Sequence, residues 1–242
     1  MLQRSFILHP KKLDKSFTYN FPFDFEELNF PTEEGEINVI HAFSGAEKSK
    51  GVILYFHGNA DNLERWGAYS SDFTERGYDV LMMDYRGFGK SDGKATEANM
   101  YEDGAMLYDY LKEKYNDQEI IIYGRSIGSG IATQLATRNK VKALFLEAPF
   151  HSIEDVVKQK YPFVLLLFKL QFEFPNHSNI QSLDVPIHIF HGTKDKVVPY
   201  ESAEKLKAFL KDTDTFLTID GAGHKNIADF ESYQEEMDRL LN

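Results

Sequence analysis

Short apolar segments recur along the chain, and most of them are followed by residues with the spacing of an amphipathic helix. Six short segments are apolar on both faces, which is typical of strands covered by helices on each side of a parallel sheet. These predicted strands cover residues 52–56, 80–83, 120–123, 143–146, 187–190 and 215–219. Two earlier segments, residues 25–30 and 37–43, flank a TEEG turn and predict an antiparallel hairpin.

Helical spacing of apolar residues is found between the predicted strands. The predicted helices cover residues 61–76, 97–115, 128–138, 200–211 and 227–241. In the second of them Met100, Leu107 and Leu111 lie on one face, as in a helix packed against a sheet. The alternation predicts an α/β fold in which a mostly parallel central sheet, preceded by an N-terminal antiparallel hairpin, carries helices on both faces.

A long interruption separates the fourth of the six predicted strands from the fifth. The chain has 242 residues without a repeat, a low-complexity tract or a linker, so we predict a single domain over residues 1–242. The interruption, residues 150–182, falls inside this domain. Long insertions in a compact domain commonly form lids or binding elements, and we therefore predict a small lid insert.

The insert contains the longest apolar stretch of the chain, residues 161–174. A helix there would be apolar on nearly every side, so one face could pack on the sheet domain and another could bind an apolar part of a substrate. The candidate binding residues are Phe150, Phe163, Leu167 and Phe168. Alternation over residues 168–174 also fits a strand, and the same side chains could instead form core packing, a subunit contact or a membrane contact.

Charge and composition disfavour several classes of function. The chain carries 27 Lys and Arg against 38 Asp and Glu, a net charge of −11 at pH 7, which disfavours binding to nucleic acid or to an anionic membrane. It has no cysteine, so disulfides, thiolate metal sites and cysteine nucleophiles are excluded. The first residues lack the apolar segment of a signal peptide, and residues 161–174 are fewer than the roughly 18 of a membrane span. We expect a cytoplasmic protein without a transmembrane segment.

A Gly-Arg-Ser-Ile-Gly motif, residues 124–128, follows the third of the six strands and leads into a predicted helix. This is G-x-S-x-G in the strand, turn and helix context of a nucleophile elbow. Such a sharp turn forces the serine into strained dihedrals and leaves no room for side chains at the glycines, which holds the hydroxyl out at the end of the sheet. The motif predicts Ser126 as a nucleophile, against the alternative of a plain tight turn.

A serine nucleophile needs a base and an orienting carboxylate. Of the eight histidines, His224 lies in a loop between the last strand and the last helix, where it can reach the carboxyl edge of the sheet. Asp195 and Glu147 each follow a strand and could orient it. We favour Asp195, because the order Ser, Asp, His is that of the hydrolase arrangement, although an ordinary turn aspartate and an exposed loop histidine are the alternatives.

A tetrahedral intermediate needs two backbone N–H donors, one of them from the residue after the nucleophile. This assigns Ile127, and the loop after the first of the six strands supplies Asn59 or, one residue further, Ala60. We assign Asn59 and Ile127 to the oxyanion hole.

Residues 84–91 contain the letters GKS but do not form a phosphate-binding loop, because Asp84 stands where that motif requires glycine. We expect a tight turn there, with Asp84 and Arg86 as partners. The spacing of histidines and carboxylates fits no metal motif, so we expect neither a metal nor another cofactor.

Several segments together make the chain resemble the α/β-hydrolase superfamily. They are YFHGNA (55–60), DYRGFGKS (84–91), GRSIG (124–128), EAPF (147–150), HGTKD (191–195) and GH (223–224). More narrowly, the chain is similar to the bud-emergence-protein and serine-aminopeptidase-like branch, whose animal relatives include palmitoyl-protein depalmitoylases. The resemblance covers residues 36–240 and implies an α/β-hydrolase fold with Ser126, Asp195 and His224 as the triad.

The predicted function is hydrolysis of a small-molecule carboxylic ester or thioester through an acyl-enzyme, without a cofactor. A serine aminopeptidase is the first alternative, with Glu147 or Glu173 as an anchor for the substrate ammonium group. A non-catalytic interaction protein that retains the fold is the second. The sequence predicts neither the physiological substrate nor the oligomeric state.

Overall fold

The strands form one large sheet and one small one in the computed structural model, which describes residues 7–161, 163 and 170–242. The strands are β1 (His9–Pro10), β2 (Phe25–Thr32), β3 (Gly35–Ala42), β4 (Val52–Phe56), β5 (Ala60–Asp61), β6 (Asp79–Met83), β7 (Ile120–Arg125), β8 (Ala143–Glu147), β9 (Ile187–Gly192) and β10 (Thr215–Ile219). The large sheet has the order β10-β9-β8-β7-β4-β6-β3-β2, while β1 pairs only with β5. From β10 to β6 all neighbours are parallel, and β3 and β2 follow as an antiparallel hairpin.

Helices connect most of these strands. They are α1 (Leu63–Trp66), α2 (Ser71–Thr74), α3 (Glu97–Lys112), α4 (Gly128–Ala136), α5 (Ile153–Lys160), α6 (Asn176–Gln181), α7 (Tyr200–Glu204) and α8 (Glu231–Leu241). The Thr96 hydroxyl caps α3 by accepting from the Asn99 N–H, and the Asn99 side chain accepts from the Thr96 N–H in return. Among the described residues, no helix is both long and apolar enough to cross a membrane.

Alternate residues of the central strands pack into two separate cores, one on each face of the sheet. On one face Leu54 packs with Leu107 of α3 and Ile131 of α4. On the other face Ile53 packs with residues of α8, among them Met237. The predicted fold class is therefore confirmed: a mostly parallel sheet carries helices on both faces and is preceded by an antiparallel hairpin.

The predicted helix over residues 61–76 is wrong as a continuous element. The chain forms α1, a 3-10 turn over Gly67–Ser70 and then α2. Gly67 packs under the Phe21 ring, and a Cβ added there would lie 2.3 Å from a ring carbon. This contact with the N-terminal segment is a tertiary constraint that the local pattern does not contain.

The insert also differs from its prediction where the structure describes it. Residues 171–175, the described end of the predicted helix, contain neither helix nor strand. Phe172 and Phe174 are buried in the core on the α3 and α4 face, and Phe174 has a positive φ of 39°. A Cβ added at Gly130 of α4 would lie 2.3 Å from the Phe174 ring. This end of the insert is core packing, one of the alternatives that the sequence left open.

Candidate active site

Ser126 lies on the turn between β7 and α4 with a φ of +53°, a conformation that costs a residue with a side chain energy. The two flanking glycines are required by close contacts. A Cβ added at Gly124 would lie 2.6 Å from the Cβ of Ala132, and one added at Gly128 would lie 2.1 Å from the Phe56 carbonyl oxygen. The turn therefore has the geometry of a nucleophile elbow at the carboxyl end of the parallel strands.

Asp195 and His224 follow neighbouring strands, β9 and β10, and are in direct contact. The His224 Nδ1–H donates to Asp195 Oδ2 over 2.7 Å, since a carboxylate can only accept. The other oxygen, Oδ1, accepts from the backbone N–H groups of Val197 at 2.7 Å and Val198 at 2.9 Å. Burial alone would raise the pKa of Asp195, but the hydrogen bond from His224 and the neighbouring groups lower it below its ordinary value.

A second histidine also lies near Asp195. His191 Nε2 is 3.5 Å from Asp195 Oδ2, but its hydrogen bond goes to the Val198 carbonyl oxygen at 3.1 Å. Its side chain is fully buried, whereas that of His224 is 12% exposed. Only His224 of these two combines contact with Asp195 and access to solvent.

Glu147, the other candidate carboxylate, is engaged elsewhere. Its Oε1 lies 3.3 Å from the Nε atom of Arg125, and its Oε2 accepts from the Tyr123 hydroxyl over 2.8 Å. Its backbone carbonyl accepts from the Ser126 N–H over 2.8 Å. Glu147 thus contacts the strand and the elbow beneath the serine, while Asp195 contacts the histidine.

Arg125 contacts both Glu147 and the backbone of His224, and the sequence analysis did not single it out. Its Nη2 donates to the His224 carbonyl oxygen over 3.1 Å. This hydrogen bond links the residue before Ser126 to the loop between β10 and α8 that carries His224, called here the histidine loop. The guanidinium lies over the rings of Trp66 at 5.2 Å and Tyr69 at 5.1 Å. An arginine at the end of an otherwise apolar strand was the available signal, because a buried charge needs partners.

The loop after β4 lies against the serine. A Cβ added at Gly58 would be 4.0 Å from the Cβ of Ser126. The Gly58 carbonyl accepts from His57 Nδ1 over 2.7 Å, and because the N–H of a trans peptide points opposite to its C=O, the Asn59 N–H points away from His57. Within the described part of the chain, the backbone N–H groups of Asn59 and Ile127 donate no hydrogen bond. Both are thus available as donors.

The expected contact between Asp84 and Arg86 is wrong. Asp84 is fully buried and faces His57, with 3.6 Å between Oδ1 and Nε2, and burial raises its pKa above the ordinary value. Arg86 instead pairs with Asp103 of α3, with Nη2 at 2.8 Å from Oδ1. The two side chains do not pair because each has a partner from another part of the fold.

The four candidate lid residues do not share one environment. Phe150 is buried in the core on the α3 and α4 face, and its carbonyl accepts from the Asn176 side chain. Phe163 is 76% exposed. Leu167 and Phe168 lie outside the described residues. In the described ranges, no group of three or more His, Asp or Glu side chains could hold a metal ion.

Comparison with known proteins identifies the family. A sequence model of the family described as "Serine aminopeptidase, S33" matches residues 47–178. Lysophosphatidylserine lipase ABHD12 of Danio rerio is 32% identical over 183 residues, which are 66% of this chain but 47% of that protein. The chain therefore spans about half the length of that relative. The uncharacterized protein YfhR of Salmonella typhimurium is 27% identical over 224 residues, 84% of this chain and 75% of that protein.

Solved structures support the same fold. An esterase of Pyrococcus furiosus superposes with a TM-score of 0.75 at 17% identity and covers 97% of both chains. An alpha-beta hydrolase of Vibrio vulnificus superposes with a TM-score of 0.74 at 20% identity over 90% of this chain and 81% of that one. These likenesses confirm the α/β-hydrolase fold.

Proposed function

The chain belongs to the serine aminopeptidase S33 family of α/β hydrolases, and on this premise we propose that it is a serine hydrolase that cleaves carboxylic esters or thioesters. The observation that carries the proposal is the hydrogen bond between His224 and the buried Asp195 at the sheet edge where Ser126 occupies a strained turn. A plain tight turn has no need of such a pair at the same edge.

In the proposed mechanism Ser126 Oγ attacks the substrate carbonyl and His224 Nε2 accepts its proton. Asp195 keeps the proton of the imidazole on Nδ1, so Nε2 is left as the acceptor, and it stabilises the imidazolium that forms. His224 then donates the proton to the leaving group, and the acyl group stays on Ser126. Water, deprotonated by the same imidazole, repeats the attack and releases the acid.

The tetrahedral intermediates carry a negative oxygen that needs donors already in place. We assign this role to the backbone N–H groups of Asn59 and Ile127. Their lack of a hydrogen-bond partner among the described residues supports the assignment, as does the contact of Gly58 with Ser126. The contact between Gly58 and His57 fixes the direction of the Asn59 N–H and gives the buried histidine a structural purpose.

Ester chemistry is favoured over aminopeptidase chemistry by one specific observation. An aminopeptidase needs an acidic group to bind the free ammonium of its substrate, and Glu147 and Glu173 are the two candidates. Glu147 is 2% exposed and paired with Arg125, so it is not available to a substrate, whereas Glu173 is exposed and stays a candidate of the alternative. Among the named relatives, the Danio rerio protein is a lysophosphatidylserine lipase and the Pyrococcus furiosus protein is an esterase.

The insert supplies the proposed acyl-binding residues, Phe150, Phe163, Leu167 and Phe168. The exposed ring of Phe163 supports this role, because an exposed aromatic side chain is suited to contact an apolar substrate. Phe150, which is buried, would act as a wall of the acyl site.

A substrate panel tests the proposal. We would measure kcat/KM for acetate, butyrate, octanoate and dodecanoate esters, for the matching thioesters and for aminoacyl amides, with Ser126→Ala in every assay. The proposal expects turnover of esters and thioesters that the variant abolishes. Aminoacyl amides cleaved faster than esters would support the peptidase instead, and turnover in the variant equal to wild type would refute a serine mechanism.

A further inference from the structure

The Arg125 guanidinium is one of the few charged groups enclosed in this protein. The side chain is 2% exposed, lies at the end of β7 and precedes Ser126 directly. Its charge is paired with Glu147, which is itself held by the Tyr123 hydroxyl at 2.8 Å, and Tyr123 OH lies 3.0 Å from Tyr233 OH. Glu147 therefore has a fixed position from which it orients Arg125.

Stability alone is a poor reason for this arrangement. A buried ion pair costs desolvation of both charges, and apolar residues of similar volume are often as good or better for folding. A second enclosed arginine, Arg86, pairs with Asp103 at 2.8 Å and makes no contact with the residues of the proposed mechanism among those described, so it serves as the comparison. Arg86 makes a further contact to Glu34, at 3.4 Å, whereas the further contact of Arg125 goes to the loop that carries His224.

That contact joins the two reacting groups of the proposed mechanism. Nη2 of Arg125 donates to the backbone carbonyl of His224 over 3.1 Å, across 99 residues of sequence. Arg125 directly precedes Ser126, so their Cα atoms are about 3.8 Å apart. Its backbone is therefore bonded to Ser126, while its side chain is hydrogen-bonded to His224. The residues just before His224 are held by other contacts, since the N–H groups of Gly221 and Gly223 donate to Thr193 and Asn226, and the Arg125 contact acts on the backbone of His224 itself.

We propose that Arg125 is a positioning residue that holds the backbone of His224 at the distance from Ser126 which proton transfer requires. Asp195 fixes the rotation and tautomer of the imidazole, whereas Arg125 fixes the position of the His224 backbone that carries it. Glu147 acts one step further away, since it orients the guanidinium. This inference rests on the proposed serine hydrolase function.

The test compares Arg125→Met with Arg86→Met. Both variants remove an enclosed guanidinium and leave a carboxylate without its partner, so both should lower Tm. The kinetic result should differ: Arg125→Met should lose about 100-fold in kcat for an acetate ester, the loss expected when a reacting group moves by about 1 Å. KM should change little, because no substrate contact is removed. Arg86→Met should keep the kcat of wild type.

A second variant keeps the inference testable if Arg125→Met does not fold. Arg125→Lys retains the charge beside Glu147 but not the forked geometry that reaches Glu147 and His224 together, so it should fold and still lose kcat. Equal kcat in Arg125→Lys, Arg125→Met and wild type would overturn the positioning role. So would a parallel loss of kcat in Arg86→Met, since the effect would then be general instability.

Ser126→Ala in the same assay separates this inference from the proposed function. An inactive Ser126→Ala with fully active Arg125 variants would refute the positioning role alone. An active Ser126→Ala would refute the serine mechanism, whatever the Arg125 variants do.

Discussion

At the scale of single residues, two carboxylates at the end of the sheet have different partners. Asp195 accepts from His224 and from two backbone N–H groups, whereas Glu147 pairs with Arg125 and accepts from Tyr123. Both acids follow parallel strands and stand between Ser126 and His224 in the sequence, so the order that favours Asp195 does not exclude Glu147. The distinction comes from contacts that only the folded chain creates.

The variants Asp195→Asn and Glu147→Gln should therefore behave differently. Asp195→Asn should lower kcat by about 10⁴-fold, because an amide does not stabilise the imidazolium and can hold the ring in the wrong tautomer. Glu147→Gln should act mainly on folding, with a loss of at most about 3 to 5 kcal/mol in the free energy of unfolding, the range for breaking a buried pair. Its loss of kcat should not exceed the about 100-fold expected of Arg125→Met. Steady-state kinetics and urea unfolding measure the two effects. A larger kcat loss in Glu147→Gln would reverse the assignment.

The pH dependence of activity follows from the same pair. Hydrogen bonding to His224 lowers the pKa of Asp195, so this carboxyl stays ionised between about pH 5 and 9, given that an ordinary Asp has a pKa of about 3.9. The proposed mechanism needs an unprotonated imidazole to accept the serine proton, so kcat/KM for a neutral ester should rise from acid to neutral pH. Activity that is constant over this range, or that falls from acid to neutral pH, would contradict the mechanism.

The lowered pKa of Asp195 also contributes to the stability of the folded chain. Because the pKa of Asp195 is lower in the folded than in the unfolded chain, the contact adds stability above the unfolded pKa, and this stability is lost as the pH falls through the folded pKa. This stability is therefore lost only at acid pH, below the pH range in which activity is measured.

At the scale of elements, the strands could be predicted more accurately than the helices. The predicted ranges 52–56 and 215–219 are the observed bounds of β4 and β10. β4 is buried at every position and is marked by a continuous apolar run, whereas β10 is a partly exposed edge strand with the sequence TFLTI. Helical segments are interrupted by packing. The 3-10 turn at Gly67 follows from contact with Phe21, which lies 46 residues earlier in the sequence and has no local signal.

The insert was the least predictable element. Its composition fits a helix, a strand or core packing equally well, and only tertiary contacts choose between them. The ring of Phe174 fills the space above Gly130, so its position depends on α4 and not on the residues beside it. The pairing of β1 with β5 was missed for a similar reason, since two-residue strands carry no periodicity.

Two phenylalanines of the insert test the division between core and surface. Phe174→Ala should lower the free energy of unfolding by about 3 to 5 kcal/mol, because the side chain is fully buried. Phe163→Ala should change it by less than about 0.5 kcal/mol, because the ring is 76% exposed. Urea denaturation measures both values. Equal effects of the two substitutions would contradict the described packing.

Phe163 also tests the proposed acyl contact. If its ring binds the acyl chain, Phe163→Asp should lower kcat/KM for octanoate esters more than for acetate esters, with folding unchanged. An equal decrease for both esters would remove Phe163 from the acyl site.

At the scale of the whole molecule, the parallel sheet gathers residues that are far apart in sequence. The loops after β4, β7, β9 and β10 all leave the same edge of the sheet, and they carry Asn59, Ser126, Asp195 and His224. That convergence could be predicted from the strand order alone. The contacts of Arg125 could not be predicted from the sequence. Its partners Glu147 and His224 come close to it only when β7, β8 and the loop after β10 are assembled.

The central claim is that Ser126 is the nucleophile, and labelling with a fluorophosphonate probe tests it most directly. Wild type should form a covalent adduct that mass spectrometry assigns to Ser126, and Ser126→Ala should lose labelling together with about 10⁶-fold of ester kcat. Ser129→Ala, which removes the next serine along the elbow, should still be labelled. Labelling of Ser126→Ala at the wild-type rate, or ester turnover within about tenfold of wild type, would contradict the account.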